Sequence, residues 1–403
     1  MASYTELREA LAGRPLPLAF VDLDAFDRNV DRVVALLAER GTPLRVATKS
    51  LRAVGLLRRI LERAGDAARG LMCFTVGEAA FLVHHGFDDL LIAYPTVQAR
   101  DLELAAALTE SGHAVHLMAD SAEAVARIGA VGAARGVELG VVLDVDMSLR
   151  LGGGRLHLGV RRSPLWSADE VVDLARAIEA HPGTRFLGIM GYEAQVAGLG
   201  DHSPHAPLLN PVIGLVRAVS RRELGPRRAT IVAALRDAGL PPHIVNGGGT
   251  GSLDSTTPDT GVTEVTAGSA FFKPHLFDHF ASPHMLALEP AAFFALQVTR
   301  RPGPGLVTCL GGGYVASGAA SIDKVPLPWL PEGAKLLSSE MAGEVQTPVA
   351  LPEALDVALG DPIVFRHAKA GELAERFERF ELLAGGRIVD RVPTYRGEGQ
   401  CFL

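Results

Sequence analysis

Short apolar runs alternate with stretches of helical period along the first two-thirds of the chain, and that alternation leaves few folds open. Strand-like runs at 18–24, 44–49, 70–75, 89–94, 114–120, 138–146, 185–192, 243–247 and 262–266 are separated by amphipathic stretches such as 27–39, 54–64, 77–85, 99–111, 122–134, 169–180 and 212–238. Repeated strand–helix units of this kind build a parallel sheet. The eight runs from 44–49 to 262–266 suffice to close a (β/α)8 TIM-type barrel, an α/β fold. The run 18–24 is then left over, to pair with a second domain or to cover the barrel's base.

After residue 281 the texture changes. Pro and Gly become frequent, as in Arg301-Pro-Gly-Pro-Gly305 and Leu310-Gly-Gly-Gly313, and helical periodicity fades. Short runs at 294–299, 306–310, 361–367, 376–383 and 387–392, with Gly385-Gly386 as a hairpin signal, predict a smaller C-terminal β-domain. The expected division is a barrel over 18–280 and a β-domain over 281–403, with residues 1–17 free to join the latter. A chain of 403 residues, 48% hydrophobic, has more than one average core to fill, which suits two domains.

A net charge of −7 argues against a nucleic-acid or anionic-membrane partner, since both select for basic surfaces. Cys73, Cys309 and Cys401 are widely spaced, with neither metal-ligand spacing nor a disulfide framework. The first residues lack the basic and apolar regions of a signal peptide, and no run of eighteen apolar residues occurs. A cytoplasmic protein is expected.

Chemistry concentrates at a few positions. Lys49 ends the run Leu44-Arg-Val-Ala-Thr-Lys49, at the strand end where barrels carry reactive groups, and an amine there can condense with an aldehyde. The turn Asn246-Gly-Gly-Gly-Thr-Gly-Ser252 follows an apolar strand. Its glycines, Gly248, Gly249 and Gly251 among them, let consecutive amides converge beside the Thr250 and Ser252 hydroxyls, as a phosphate requires. It follows the seventh barrel strand, a common phosphate position; a flexible glycine turn is the alternative.

Arg150, in Asp144-Val-Asp-Met-Ser-Leu-Arg150-Leu-Gly152, could fork onto an anionic oxygen across the barrel mouth, or be a solvated surface arginine. Tyr192 closes the run 185–192 and could pack on a flat cofactor or serve as amphipathic core. The segment 195–210 is long enough for a lid, and its His202 and His205 read as solvent-exposed histidines. In Asp361-Pro-Ile-Val-Phe-Arg-His367-Ala-Lys369, His367 and Lys369 fall on one side of an extended chain, which could deliver a base and a cation to one site.

Together, and in this order, these segments resemble the fold-type III pyridoxal-phosphate enzymes, the alanine-racemase-like barrel group, and within it the D-threonine aldolase and D-serine dehydratase branch. The resemblance covers essentially the whole chain. It implies that Lys49 is the Schiff-base lysine and that Arg150 contacts the cofactor's phenolic oxygen. It further implies that the strand Gly188-Ile-Met-Gly-Tyr192-Glu sets a tyrosine at the cofactor, and that Gly247-Gly-Gly-Thr-Gly-Ser252 holds the phosphate. Thr263-Glu-Val-Thr-Ala-Gly-Ser269 resembles the barrel-closing segment, with Thr266 where racemases of the group use an arginine against the ring nitrogen.

The stretch through His367 resembles the one that carries the branch's metal-binding histidine. Lys369 stands where that branch has aspartate or cysteine, which puts a conventional divalent-metal site in question. The resemblance also implies a homodimer and a small amino-acid substrate. The expected activity is cleavage of a D-configured 3-hydroxy amino acid to glycine and an aldehyde, with Lys49, His367 and Lys369 catalytic. D-serine dehydratase-like deamination, racemisation, a non-catalytic cofactor carrier and a sugar-phosphate lysine aldolase are the competing readings.

Overall fold

Strand β1 (Leu18–Asp22) stands apart from the eight barrel strands that follow it. In the computed structural model, which describes every residue except 1, 153, 319, 320, 353, 354, 356 and 370, β2 (Leu44–Ala47), β3 (Ala68–Cys73), β4 (Leu90–Ile92), β5 (Val115–Ala119) and β6 (Leu139–Asp144) run parallel. A hairpin, β7 (Leu149–Leu151) and β8 (Leu156–Leu158), interrupts the series. Strands β9 (Thr184–Gly191), β10 (Ile244–Gly247) and β11 (Glu264–Ala267) complete it, and β11 pairs with β2 to close the barrel. The expected barrel is borne out strand for strand.

Short strands flanked by helices are covered on both faces, so most of their residues are buried rather than alternating between core and solvent. All six residues of β6 are buried. The helices start where the local chemistry dictates. The Thr75 and Ser121 side chains each accept from the amide three residues on, and Ser167 and Glu170 form a capping box.

One irregularity decides which way a later functional side chain faces. Opposite β6, the partner of Val141 is Phe186 but that of Val142 is Gly188, so β9 carries an extra residue. Gly188 sits at φ +151, and a Cβ there would lie 1.8 Å from the Ile244 carbonyl oxygen, so only glycine fits. Strict alternation would put either Leu187 or Met190 inside the barrel, not both. With the bulge, both pack in its interior beside Leu91, Met118, Val142 and Ile244. Tyr192, two residues past Met190, is thereby turned to the inner face.

The lower interior is charged. Arg45 on β2 makes a bidentate pair with Glu264 on β11, at 2.6 and 2.8 Å, and both side chains are wholly buried. Arg45 also donates to the Asp89 carbonyl at 2.8 Å and its carboxylate at 3.0 Å, while Asn246 donates to Glu264 and Thr266, each at 2.8 Å. Every partner is hydrogen-bonded, which is the condition for burying such a pair.

The chain divides into two compact units, and the barrel unit comprises Val34–Lys49, Ala64–Gly268 and Phe402–Leu403. The second unit takes the chain up to Val33, Ser50–Arg63 and Ser269–Cys401. It is built on β12 (Ala292–Gly303), β13 (Leu306–Leu310), β14 (Leu327–Leu330), β15 (Lys335–Leu336), β16 (Gln346–Ala350), β17 (Pro362–Arg366), β18 (Arg379–Ala384) and β19 (Arg387–Pro393). The leftover β1 lies inside this sheet, antiparallel to β12 and parallel to β18. Its residues are all buried, and Phe20 packs with Leu7, Leu11, Phe293 and Val364.

Three details differ from the sequence reading. The strand ahead of Lys49 stops at Ala47, and Thr48–Ser50 is a 3-10 turn, so the lysine projects from the rim. The loop after Arg150 is a hairpin, and 195–210 includes the short helix Ala194–Ala197 and the turn Pro207–Leu209. Among the described residues no helix is long and apolar enough to cross a membrane.

Candidate active site

At the C-terminal mouth of the barrel, the Lys49 amine donates to the Tyr94 hydroxyl at 2.6 Å. Tyr94 follows β4 as Lys49 follows β2, so equivalent addresses on nearby strands bring amine and phenol together. The 3-10 turn leaves Lys49 exposed, as an amine that must meet a ligand requires. Sequence reading overlooked Tyr94, although its strand-end position was the same signal that singled out Lys49.

Tyr192 meets the glycine turn. A Cβ on Gly249 would lie 3.0 Å from the Tyr192 ring and 2.8 Å from the Ala197 Cβ, so glycine leaves a cradle that any other residue would fill. Gly248 sits at φ +90, in the left-handed region. Among the described residues, the amides of Gly249 and Gly251 donate to no protein acceptor. Burial pushes the Tyr192 phenol up to about 12, with Arg162 opposing the rise, so it stays protonated.

Three buried charges missed in the sequence hold the turn from behind. Glu193 accepts the Gly248 amide at 3.1 Å through both carboxylate oxygens, and it also accepts from the Thr256 hydroxyl and Arg228. Arg228 pairs in turn with Asp259. Arg217 donates to the Gly251 carbonyl at 3.4 Å and pairs with Asp201 at 3.1 Å. Both arginines come from the helix Asn210–Asp237, whose period gives no hint that they turn inward.

Arg150, read from the sequence as either reaching across the mouth or solvated, is half-buried in the structure. It pairs with buried Asp146 at 2.5 Å and lies over the Trp166 ring, which it shares with Arg227. Asn246 and Thr266 bond each other, with Asn246 also tied to Glu264, so they link the charged interior to the mouth.

Asp144 ends β6 on the inner face, two residues past Val142. Burial pushes its carboxyl up to about 7; Arg162 opposes the shift and Asp120 and Asp146 add to it. An unfolded aspartate ionises at about pH 4. Between about pH 4 and 7 the folded state therefore holds the extra proton, and stability falls as pH rises through that window. Asp144→Asn should stabilise the protein at pH 8 by on the order of 2–4 kcal/mol, a gain absent below about pH 4. Denaturant unfolding at both pH values measures it, and equal stabilities at pH 8 would contradict it.

His367 and Lys369 belong to the sheet unit, where they line a cavity of about 420 Å³ with Tyr314, Ser317, Glu372 and Arg376. His367 is buried, with the Ala292 backbone as a hydrogen-bonding neighbour. Burial, with Arg366 and His275 adding to it, holds the imidazole down to about 3, so it is neutral at physiological pH. The Lys369 ammonium donates to Ser317 at 2.8 Å and lies 4.0 Å from Glu372.

A closed parallel barrel thus carries an amine, a phenol and an open glycine cradle at its mouth. The chain belongs to the alanine racemase N-terminal-domain family, whose model matches residues 21–274. It is 25% identical over 256 residues to the 3-hydroxy-D-aspartate aldolase of Paracoccus denitrificans (strain Pd 1222), a match covering 64% of this chain. The chain spans 60% of that relative's length. It is 29% identical to the D-threo-3-hydroxyaspartate dehydratase of Delftia sp. (strain HT23) over 66% of this chain and 63% of the relative. Its fold is like that of the D-threonine aldolase from Filomicrobium marinum, with a TM-score of 0.77, 24% identity and 95% of each chain covered.

Proposed function

We propose that the protein is a pyridoxal 5'-phosphate-dependent lyase that cleaves a D-configured 3-hydroxy amino acid to glycine and an aldehyde, as a D-threonine aldolase does. The observation that carries this reading is the Lys49 amine, 2.6 Å from the Tyr94 hydroxyl at the mouth of a family barrel. The residues present fit the cofactor. The cradle at Gly249 and the undonated amides of Gly249 and Gly251 suit a phosphate, and the Tyr192 ring beside them suits a flat heterocycle.

When bound, pyridoxal phosphate supplies an electron sink for the pair released as a bond to the substrate's α-carbon breaks. Lys49 would hold the cofactor's aldehyde carbon covalently and, once displaced by the substrate amine, take up or return a proton at Nζ. Tyr94 would keep that nitrogen in place and share its proton. Gly248, Gly249, Thr250 and Gly251 would bind the phosphate, with Glu193 fixing the turn. The Asn246–Thr266 pair would offer the ring nitrogen a neutral partner rather than a cation, and Arg150, with donors not taken by Asp146, would contact the cofactor's phenolic oxygen.

The reading keeps His367 as the acceptor of the substrate hydroxyl proton, with the Lys369 ammonium as the accompanying positive charge, although burial leaves this imidazole a weak base. Arg366 adds positive charge beside His367, and an ammonium stands two residues on. The reading routes no step through a divalent cation. The reading includes a homodimer in the cytoplasm; burial raises the thiols of Cys73 and Cys309, which suits cysteines with no redox role.

The dehydratase relative favours a second reading, loss of the hydroxyl and deamination. Incubating cofactor-loaded protein with D-threonine, L-threonine and D-serine, with and without chelator, separates the two. Glycine and acetaldehyde from D-threonine alone, unaffected by chelator, are expected. A 2-oxo acid would select dehydration, the enantiomer racemisation, and the absence of turnover a carrier.

A further inference from the structure

The barrel mouth holds a second arginine that sequence reading passed over. Arg162 lies in the segment that returns from the β7–β8 hairpin, and that segment is stitched to the end of β6. The Ser163 hydroxyl donates to the Asp144 carbonyl at 2.6 Å, the Leu165 amide to the Ser163 hydroxyl at 3.1 Å, and the Asp146 amide to the Leu165 carbonyl at 2.8 Å. Arg162 is thus carried on a pinned rim, although its side chain is exposed.

Its guanidinium lies over the Tyr192 ring, 5.5 Å from the centroid. Tyr192 borders the glycine cradle on one side and is electrostatically coupled to Tyr94, the partner of Lys49. The positive charge of Arg162 is also felt by Asp144. Yet no carboxylate lies within ion-pair distance of Arg162 among the described residues, in contrast to Arg150, which is neutralised by Asp146. A guanidinium stacked on an aromatic face keeps its in-plane N–H fork free, and that fork matches a carboxylate.

Resting on the lyase reading, we infer that Arg162, and not Arg150, binds the carboxylate of the amino-acid substrate. Arg150, Asp146, Trp166 and Arg227 form a structural knot: Arg227 donates to the Asp146 carbonyl at 2.7 Å and to the Ser148 carbonyl at 3.1 Å while sharing the indole face with Arg150. That knot holds the hairpin base. Arg162 is a cation placed to face a ligand whose amino group reacts at Lys49.

The test uses cofactor-loaded wild type, Arg162→Ala, Arg162→Lys and Arg150→Ala with D-threonine and D-threonine amide. Losing a charge-assisted pair should raise the KM for D-threonine in Arg162→Ala by roughly 10–100-fold, with kcat changed far less. The KM for the amide, which lacks the carboxylate, should not move. Arg162→Lys should fall between, and cofactor content should match wild type.

An unchanged KM for D-threonine, an equal loss on acid and amide, or loss of cofactor from Arg162→Ala would overturn the inference. So would the acid-specific defect appearing in Arg150→Ala instead. If wild type turns over no 3-hydroxy amino acid, the lyase reading itself falls. Titrating the bound cofactor's absorption with D-alanine and D-alanine amide then still decides the role of Arg162: acid-selective weakening in Arg162→Ala supports it, and equal titrations refute it.

Discussion

Lys49→Ala should leave a folded protein that no longer carries covalently bound cofactor and has lost roughly 10³-fold or more of its activity. Lys49 is exposed on a 3-10 turn, so truncation removes no core contact, and stability should change by no more than about 0.5 kcal/mol. The glycine turn, with Glu193, Arg217 and Arg228 behind it, is untouched. Pyridoxal phosphate should therefore still bind, with the absorption of a free aldehyde, and borohydride should not fix it to the protein. Tyr94→Phe, which removes only the hydroxyl against Nζ, should retain the covalent link. Undiminished turnover in Lys49→Ala, or a borohydride-fixed adduct in that variant, would rule out the assigned role.

The second large effect is on stability. Glu264→Leu should lower the barrel's unfolding free energy by about 3–5 kcal/mol, because it strands the wholly buried Arg45 guanidinium and one donor of Asn246. Asp89 remains at 3.0 Å but is partly exposed and cannot replace a bidentate partner. Arg45→Met combined with Glu264→Leu should recover much of the loss, since no charge is left unpaired. Denaturant unfolding of the three variants measures the coupling. A Glu264→Leu loss below about 1 kcal/mol, or a double variant no better than the single, would contradict this account of the interior.

The barrel was readable because its strands are continuous apolar runs whose count is fixed by closure. The run 18–24 was recognisable as the extra one, yet nothing in its sequence says that it enters the sheet of the second unit. Lys49 and the turn at 246–252 were visible because each combines a chemical type with a strand-end address. Tyr192 was found by the same logic, but its inward orientation depends on the bulge at Gly188, and a bulge shifts the alternation without leaving a periodic trace.

Glu193, Arg217 and Arg228 could not be read at all, since their burial comes from side chains distant in sequence. Arg150 and Arg162 looked alike in an arginine-rich loop. Only the hairpin, Trp166 and the Ser163 stitches separate the neutralised one from the open one.

Whether Lys49 carries the cofactor is decided by reducing the loaded protein with borohydride, digesting it and locating the modified peptide by mass spectrometry. A single reduced pyridoxyl adduct is expected on Lys49, formed in wild type and blocked when Lys49 is replaced. An adduct on any other lysine, or a loaded protein that borohydride leaves unmodified, would contradict this expectation.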